Sequence, residues 1–287
     1  MVWQSLLQNW LRSRVQQAAT RAAFDAVGRG ESSPKGPPAE VDIALVAALG
    51  MELGGLVDRI PGLVTIQAAA FKAYHAEWHG RGVLLVESGV GQRRAAEAAS
   101  AVIEGHRPRW LISIGFAGGL SDDVKRHDLV VGNSVASLSG ERLAIDMKLD
   151  PTGQPGLHVG RLLTVDRIVR TPDEKRALAA QHEALAVDME SFAVAQVCQR
   201  ERTRFMAVRV ISDAAQDELP RDVERLIERP TMAGKLGAAA GAIVRRPNSV
   251  KDFWNLKEQA LVATDRLATF LLSLMEQLPP PPPPTTP

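Results

Sequence analysis

Residues 110–119 read Trp-Leu-Ile-Ser-Ile-Gly-Phe-Ala-Gly-Gly. The first five are apolar on both alternating sets, broken only by the small Ser113. That is the pattern of a strand covered on both faces, as in the middle of an α/β sheet. The glycines that follow are expected to close the strand and to let the backbone come close to a ligand. Working outward, a second buried strand spans 41–48, ends at Leu49-Gly50 and runs into a short helix over 51–60. Strands are expected over 70–78 and 83–87, around the turn Gly80-Arg81-Gly82. Ser88-Gly89-Val90-Gly91 breaks the pattern, and an alanine-rich helix follows over 92–105. Beyond the opening stretch, strands are expected over 128–135, 159–165, 184–187 and 205–211, and helices over 172–182 and 189–200.

Strand followed by helix, repeated, predicts an α/β fold of three layers, with a mixed, largely parallel central sheet flanked by helices. In such sheets the ligand sits beyond the carboxyl ends of the strands. Glu52, the glycines at 115–119 and Ser212-Asp213 all follow strands in this way.

The composition agrees. Of 287 residues, 45% are hydrophobic, 23% charged and only 5% aromatic, values ordinary for a globular chain able to bury its own core. With 34 Lys and Arg against 33 Asp and Glu, the net charge is +1. Nucleic-acid binding through bulk positive charge is thereby excluded. The single cysteine, Cys198, excludes an intramolecular disulfide and a cysteine-built zinc site, and fits a reducing, cytoplasmic compartment. No apolar run reaches the 18 or so residues of a membrane span.

The chain divides by composition. Residues 1–27 place Trp3, Leu6, Leu7, Trp10, Leu11 and Val15 at helical spacing, with arginines between. This predicts an amphipathic helix that packs on the body or a partner, or lies against a membrane surface. Residues 28–40 are a Gly, Pro and Ser-rich linker. Residues 41–247 form the body. Residues 248–278 carry Phe253, Leu256, Ala260, Ala263, Leu267, Phe270 and Leu274 at alternating spacings of three and four, a stripe that predicts one long helix. Residues 279–287 are a polyproline tail, unable to be helical.

Three acids stand out because each lies near a strand end: Glu52, Glu190 and Asp213. Restricted access to water raises a carboxyl's pKa and suits it to acid–base work near neutrality. Each also has a plainer reading. Glu52 is a helix-surface acid, Glu190 complements a helix N-terminus, and Asp213 caps the next turn. There is no Gly-x-x-x-x-Gly-Lys-Ser/Thr loop and no Gly-x-Gly-x-x-Gly at the first helix, which argues against P-loop and dinucleotide folds. The six histidines are scattered, and His75 and His79 fall in a strand-like stretch. No metal site or cofactor is expected.

Four motifs in order carry a resemblance. These are the strand at 43–48 running into Met51-Glu52, and Glu87-Ser88-Gly89-Val90-Gly91. Then come 114–120 with Asp128-Leu129-Val130-Val131, and Ala186-Val187-Asp188-Met189-Glu190-Ser191 with Val208-Arg209-Val210-Ile211-Ser212-Asp213. Over roughly 41–245 the chain resembles the nucleoside phosphorylase and nucleosidase superfamily. It is similar in particular to methylthioadenosine/S-adenosylhomocysteine nucleosidases and to the hopanoid-associated phosphorylase branch, the latter also through Arg245-Arg246-Pro247 and the helix behind it. The resemblance implies cleavage of a purine–ribose bond. Asp213 matches the acid on the purine side, Glu52 the residue that activates water, and Met189 with Glu190 the ribose-binding pair. Phe116, Ala117, Gly118, Ile168, Val169, Arg209 and Ser212 match the lining of the base and nucleophile pocket. It also implies a homodimer. Two departures bear on the acceptor. Phe116 replaces a small polar residue of the nucleosidases, and Ser113 stands where hexameric phosphorylases carry a phosphate-binding arginine. Arg93, Arg94 and Arg209 are the candidates left for an anion. The expected activity is hydrolysis of a 5′-substituted adenine nucleoside. The alternatives are phosphorolysis, including of an adenosylated hopanoid at a membrane, and a catalytically dead nucleoside-binding subunit.

Overall fold

The computed structural model describes residues 41–67, 71–147, 149–219 and 249–279, with side chains in the last segment from 258 onward. The expected N-terminal helix, the linker, Arg245-Arg246-Pro247 and the tail beyond Pro279 lie outside the described residues. In chain order the elements are β1 (Ile43–Ala47), α1 (Gly50–Val57), β2 (Val64–Gln67), β3 (Lys72–Trp78), β4 (Arg81–Glu87), α2 (Gln92–His106), β5 (Trp110–Gly119), β6 (Leu129–Ser137), β7 (Arg142–Ala144), β8 (Leu157–Thr164), α3 (Pro172–His182), β9 (Ala186–Asp188), α4 (Ser191–Arg200), β10 (Arg204–Asp213) and α5 (Ser249–Gln277).

The sheet is mixed. Its middle is parallel: β1 lies between β4 and β5, and β5 also pairs with β10 in parallel. Beyond β4 the edge strands β3 and β2 are antiparallel. On the other side β10 meets β6 antiparallel, β6 meets β8 and β8 meets β9 in parallel, and β9 returns antiparallel to β5. The strands β5, β10, β6, β8 and β9 therefore close a ring, and β5 belongs both to that ring and to the open sheet.

Side-chain alternation along β1 defines the layers. Ile43, Leu45 and Ala47 face one core with Leu53 and Leu56 of α1 and Ala263, Leu267 and Leu271 of α5. Ala44 and Val46 face another with Ala95, Ala98 and Val102 of α2 and Val194 and Val197 of α4. At about 25 cal/mol per Å² of buried apolar area, these two faces carry most of the driving force for folding.

Sequence and structure differ at the element ends. β5 does not stop at Gly115 but runs to Gly119, because Gly115 pairs with Arg209, and Gly118 and Gly119 pair with Val187 and Ala186. A glycine lacks a side chain but still has the N–H and C=O that build a ladder. Ser212 and Asp213 lie inside the end of β10, past a register shift, and not after the strand. α4 begins at Ser191, with Glu190 as its N-cap. The short edge strands β2 and β7 carry no expectation from the sequence.

α5 confirms the long C-terminal helix. Ala263, Leu267, Ala268, Leu271, Leu274, Met275 and Leu278 are buried, a wider face than the three–four stripe alone predicts. Its end is held by Arg81. Arg81 Nε donates to Asp42 Oδ2 at 2.5 Å, Nη1 to the carbonyls of Met275 and Leu278 at 2.7 and 2.8 Å, and Nη2 to that of Pro279 at 2.9 Å. A guanidinium thus fills the place of a C-cap and answers the negative end of the helix dipole.

Candidate active site

Glu52 sits in the first turn of α1, directly after β1. Its Oε2 accepts from the N–H of Leu49 at 2.8 Å, reaching back to the start of its own helix. Its Oε1 accepts from the N–H of Phe116 on β5, also at 2.8 Å. Gly115 makes that approach possible. Its φ is +149°, and a Cβ there would overlap Glu52 Oε1. Glu52 is buried, and the loss of water raises its pKa above the usual carboxylate range. The two N–H donors and the Arg209 charge offset only part of that rise.

Glu190 is placed by its neighbours. Asp188, at the end of β9, accepts on Oδ1 from the N–H groups of Glu190 and Ser191, both at 3.2 Å. Thr164 on β8 accepts from Phe192 N–H at 2.9 Å and donates to Asp188 Oδ1 at 2.7 Å. Asp188 and Thr164 thus satisfy the open N–H groups of α4. The Glu190 side chain is therefore free to reach across to α2, where its Oε1 accepts from Gly91 N–H at 2.8 Å. Gly91 has φ +100°, a backbone suited to glycine. Burial first, then the Asp188 charge, pushes Glu190 up to about 7, and Glu52 adds to the rise. Glu52 and Glu190 thus act on one another, two acids far apart in sequence.

Arg209, on β10 and 1% exposed, lies beneath both. Its Nε donates to Asp188 Oδ2 at 2.8 Å, and its Nη2 to Ser113 Oγ at 2.7 Å and Ser191 Oγ at 2.8 Å. Its Nη1 donates to the carbonyl of Val208 at 3.1 Å. The guanidinium is thus held by protein acceptors as a fixed charge beside the acids. Ser113, where the resemblance would put an arginine, is one of its partners. Arg93 is exposed and pairs with Glu97 at 3.0 Å, and Arg94 lies over Gly89.

Asp213, 2% exposed, ends β10 opposite Gly118. Its Oδ1 accepts from Ser212 Oγ at 2.5 Å, and Ser212 Oγ also lies 3.2 Å from the carbonyl of Ala117. Its Oδ2 lies 2.6 Å from Nζ of Lys175, a residue with no exposed surface. Nothing in the local pattern marks Lys175, which sits in the charged run Glu174-Lys175-Arg176 of α3. Asp188 and Ser191 lie in the motif at 186–191 with no role expected of them, and Thr164 lies in the strand expected over 159–165.

β5 gathers the site. Glu52 lies against Gly115 and Asp213 against Gly118, three residues and so roughly 10 Å apart along a strand. Phe116 is half-buried on the core shared by α1 and α5. Val169 is buried with Val187 in a smaller apolar cluster beside Gly118. Ile168 and Met189 are half-buried, with no polar contact to the three acids among the described residues. Two cavities, of about 680 and 610 Å³, lie at the opposite ends of β5 and β10, lined by residues such as Arg107 and Arg204, and Trp110 and Leu278. Neither contains a member of the acid cluster. Buried acids with raised pKa values at strand ends mark the better candidate.

An N–H-held carboxylate, a second carboxylate near neutrality and a third buried beside an ammonium form an arrangement suited to breaking a bond to a cationic carbon. Residues 42–149 and 141–246 match the family model described as Phosphorylase superfamily. The 5′-methylthioadenosine/S-adenosylhomocysteine nucleosidase of Tolumonas auensis is 28% identical over 211 residues, 65% of this chain and 92% of that protein. The enzyme of the same description from Staphylococcus haemolyticus is 25% identical over 209 residues, 64% and 92% of the two chains. In fold, the Helicobacter pylori nucleosidase solved with butyl-thio-DADMe-Immucillin-A superposes with a TM-score of 0.65 at 19% identity, covering 84% of this chain and all of that one. Since the matched segments span most of the sequence and contain every acid of the cluster, the chain belongs to the phosphorylase superfamily.

Proposed function

We propose that this protein hydrolyses the N-glycosidic bond of a 5′-substituted adenine nucleoside of the methylthioadenosine or adenosylhomocysteine type. The observation that carries this reading is Glu52. It is a buried carboxylate held by two N–H groups with its pKa raised, which suits a base that takes a proton from water. Water adds to the anomeric carbon, and its proton goes to Glu52. The bond to N9 breaks, and its electron pair leaves with the purine. Asp213 delivers a proton at N7, so the base departs neutral. Glu190 grips the ribose hydroxyls and opposes the positive charge that grows on the sugar. The products are free adenine and free sugar, by the logic of an inverting pair of acids.

Water is favoured over phosphate because, among the described residues, the buried cations near the acids are already bonded to protein groups: Arg209 to Asp188 and two serines, Lys175 to Asp213 and two carbonyls. The same reading carries a homodimer, which light scattering at micromolar concentration tests. The deciding experiment offers methylthioadenosine, adenosylhomocysteine and adenosine with and without phosphate, and resolves free sugar from sugar 1-phosphate. Free sugar without phosphate is expected. Strict phosphate dependence would establish the phosphorolytic alternative. No product from any of the three would move the search to bulkier, more apolar 5′ groups, for which Phe116 offers an apolar wall.

A further inference from the structure

Lys175 is buried beside Asp213, and the mechanism above gives it no part. It projects from the first full turn of α3, whose N-terminus is capped by Thr171. Its Nζ donates to the carbonyls of Ala214 at 2.6 Å and Asp217 at 2.9 Å, and stands 2.6 Å from Asp213 Oδ2. That third contact is an ion pair but not a hydrogen bond. Asp213 Oδ2 has no aligned donor among the described residues, whereas Oδ1 has Ser212. A buried acceptor left without a donor is unfavourable, and such a group calls for an explanation. Opposite Oδ2, Gly118 presents no side chain, and a Cβ there would come within 3.3 Å of Oδ2.

We propose that Lys175 is the positioning residue for Asp213: its ammonium balances the buried charge while its hydrogens, turned toward the 214 and 217 carbonyls, leave Oδ2 open to an N–H on the edge of the bound purine. This rests on the reading of Asp213 as the purine-side acid. The ammonium also ties the turn after β10 to α3, so the carboxylate and the loop beside it move together. An unpaired ammonium at this depth would be strongly unfavourable, and the two carbonyls and Asp213 are the acceptors that hold it there. The ligand it prepares for is a heterocycle with a donor on that edge, such as a 6-amino purine or one protonated at N7.

The test is a double-mutant cycle read by adenine binding in calorimetry and by kcat and KM for methylthioadenosine. It compares the full chain with Lys175→Met, Asp213→Asn and both together. Where Lys175→Met alone unfolds, Lys175→Arg, which keeps a cation but displaces it, takes its place in the cycle. Through Asp213, Lys175→Met should lower kcat by about tenfold or more with a smaller change in KM. On the Asp213→Asn background it should change neither kcat nor adenine affinity. An equal loss on both backgrounds would make Lys175 a brace for the 214–217 turn alone and overturn the proposal. So would a Lys175→Met protein with wild-type kcat and affinity. Absence of adenine binding and cleavage in the wild-type chain would instead remove the reading of the site on which the proposal rests.

Discussion

The two ends of the central sheet treat buried charge in opposite ways. At the start of β1, Asp42 meets Arg81, and Arg81 in turn caps α5. Every charge there has a partner of opposite sign or a carbonyl. At the far end Asp188 and Asp213 are paired with Arg209 and Lys175, but Glu52 and Glu190 have N–H donors and no direct cation, and burial raises their proton affinities. The first end is built for stability and the second for reactivity. Buried charge with a matched partner holds a fold together, whereas buried charge without one is held in place by the rest of the fold.

That contrast can be broken first at Glu52. Glu52→Gln keeps the shape and removes the base, so turnover should fall by about 10²–10⁴ while the melting temperature holds or rises. A folded variant with near-wild-type turnover would take Glu52 out of the mechanism. Next in size is the opposite end. Arg81→Met leaves Asp42 buried and partly unpaired and the end of α5 without its cap, and should cost about 3–5 kcal/mol in denaturant unfolding, with kcat of the folded fraction unchanged. Equal losses of stability and turnover per folded molecule would show the two ends to be coupled.

Glu190 gives the pH test, and its sign can be worked out. In the folded protein it holds its proton up to about 7, against 4.5 for the ordinary group. Between those values the folded state binds a proton that the unfolded state does not. Stability therefore falls as pH rises through that window, by roughly 3 kcal/mol at most. Glu190→Gln should flatten this slope. Activity should run the other way, since the ionised carboxylate is the one that stabilises a cationic sugar. kcat/KM should decline as pH drops below about 7. A wild-type profile flat from pH 5 to 8 in both measurements would contradict the raised value. The smallest effect is expected at Arg93, whose pair with Glu97 is exposed. Arg93→Gln should stay within about 0.5 kcal/mol in stability and leave phosphate dependence as it was.

The sequence announced the strands through their apolar runs and the acids through their place after those runs. It did not announce how far β5 extends, because glycine carries no sign of the ladder its backbone joins. Lys175 was illegible for a related reason. A lysine between Glu174 and Arg176 has the local pattern of a solvated face, and only the return of β10 past α3 turns it inward. Asp188 likewise reads as one more acid in a helix-opening phrase. Its duty depends on Thr164 and Arg209, which arrive from β8 and β10. Partners brought together by topology leave little trace in local spacing.

The Arg81 clamp has a consequence for chain connectivity. Asp42 stands at the first residues of the folded body and Pro279 at its last described residue, and one guanidinium touches both. The body therefore begins and ends at a single corner. A circular permutant that joins 279 to 41 through a short flexible linker, and opens at an exposed turn such as that at Gly153, should fold with its acid cluster intact.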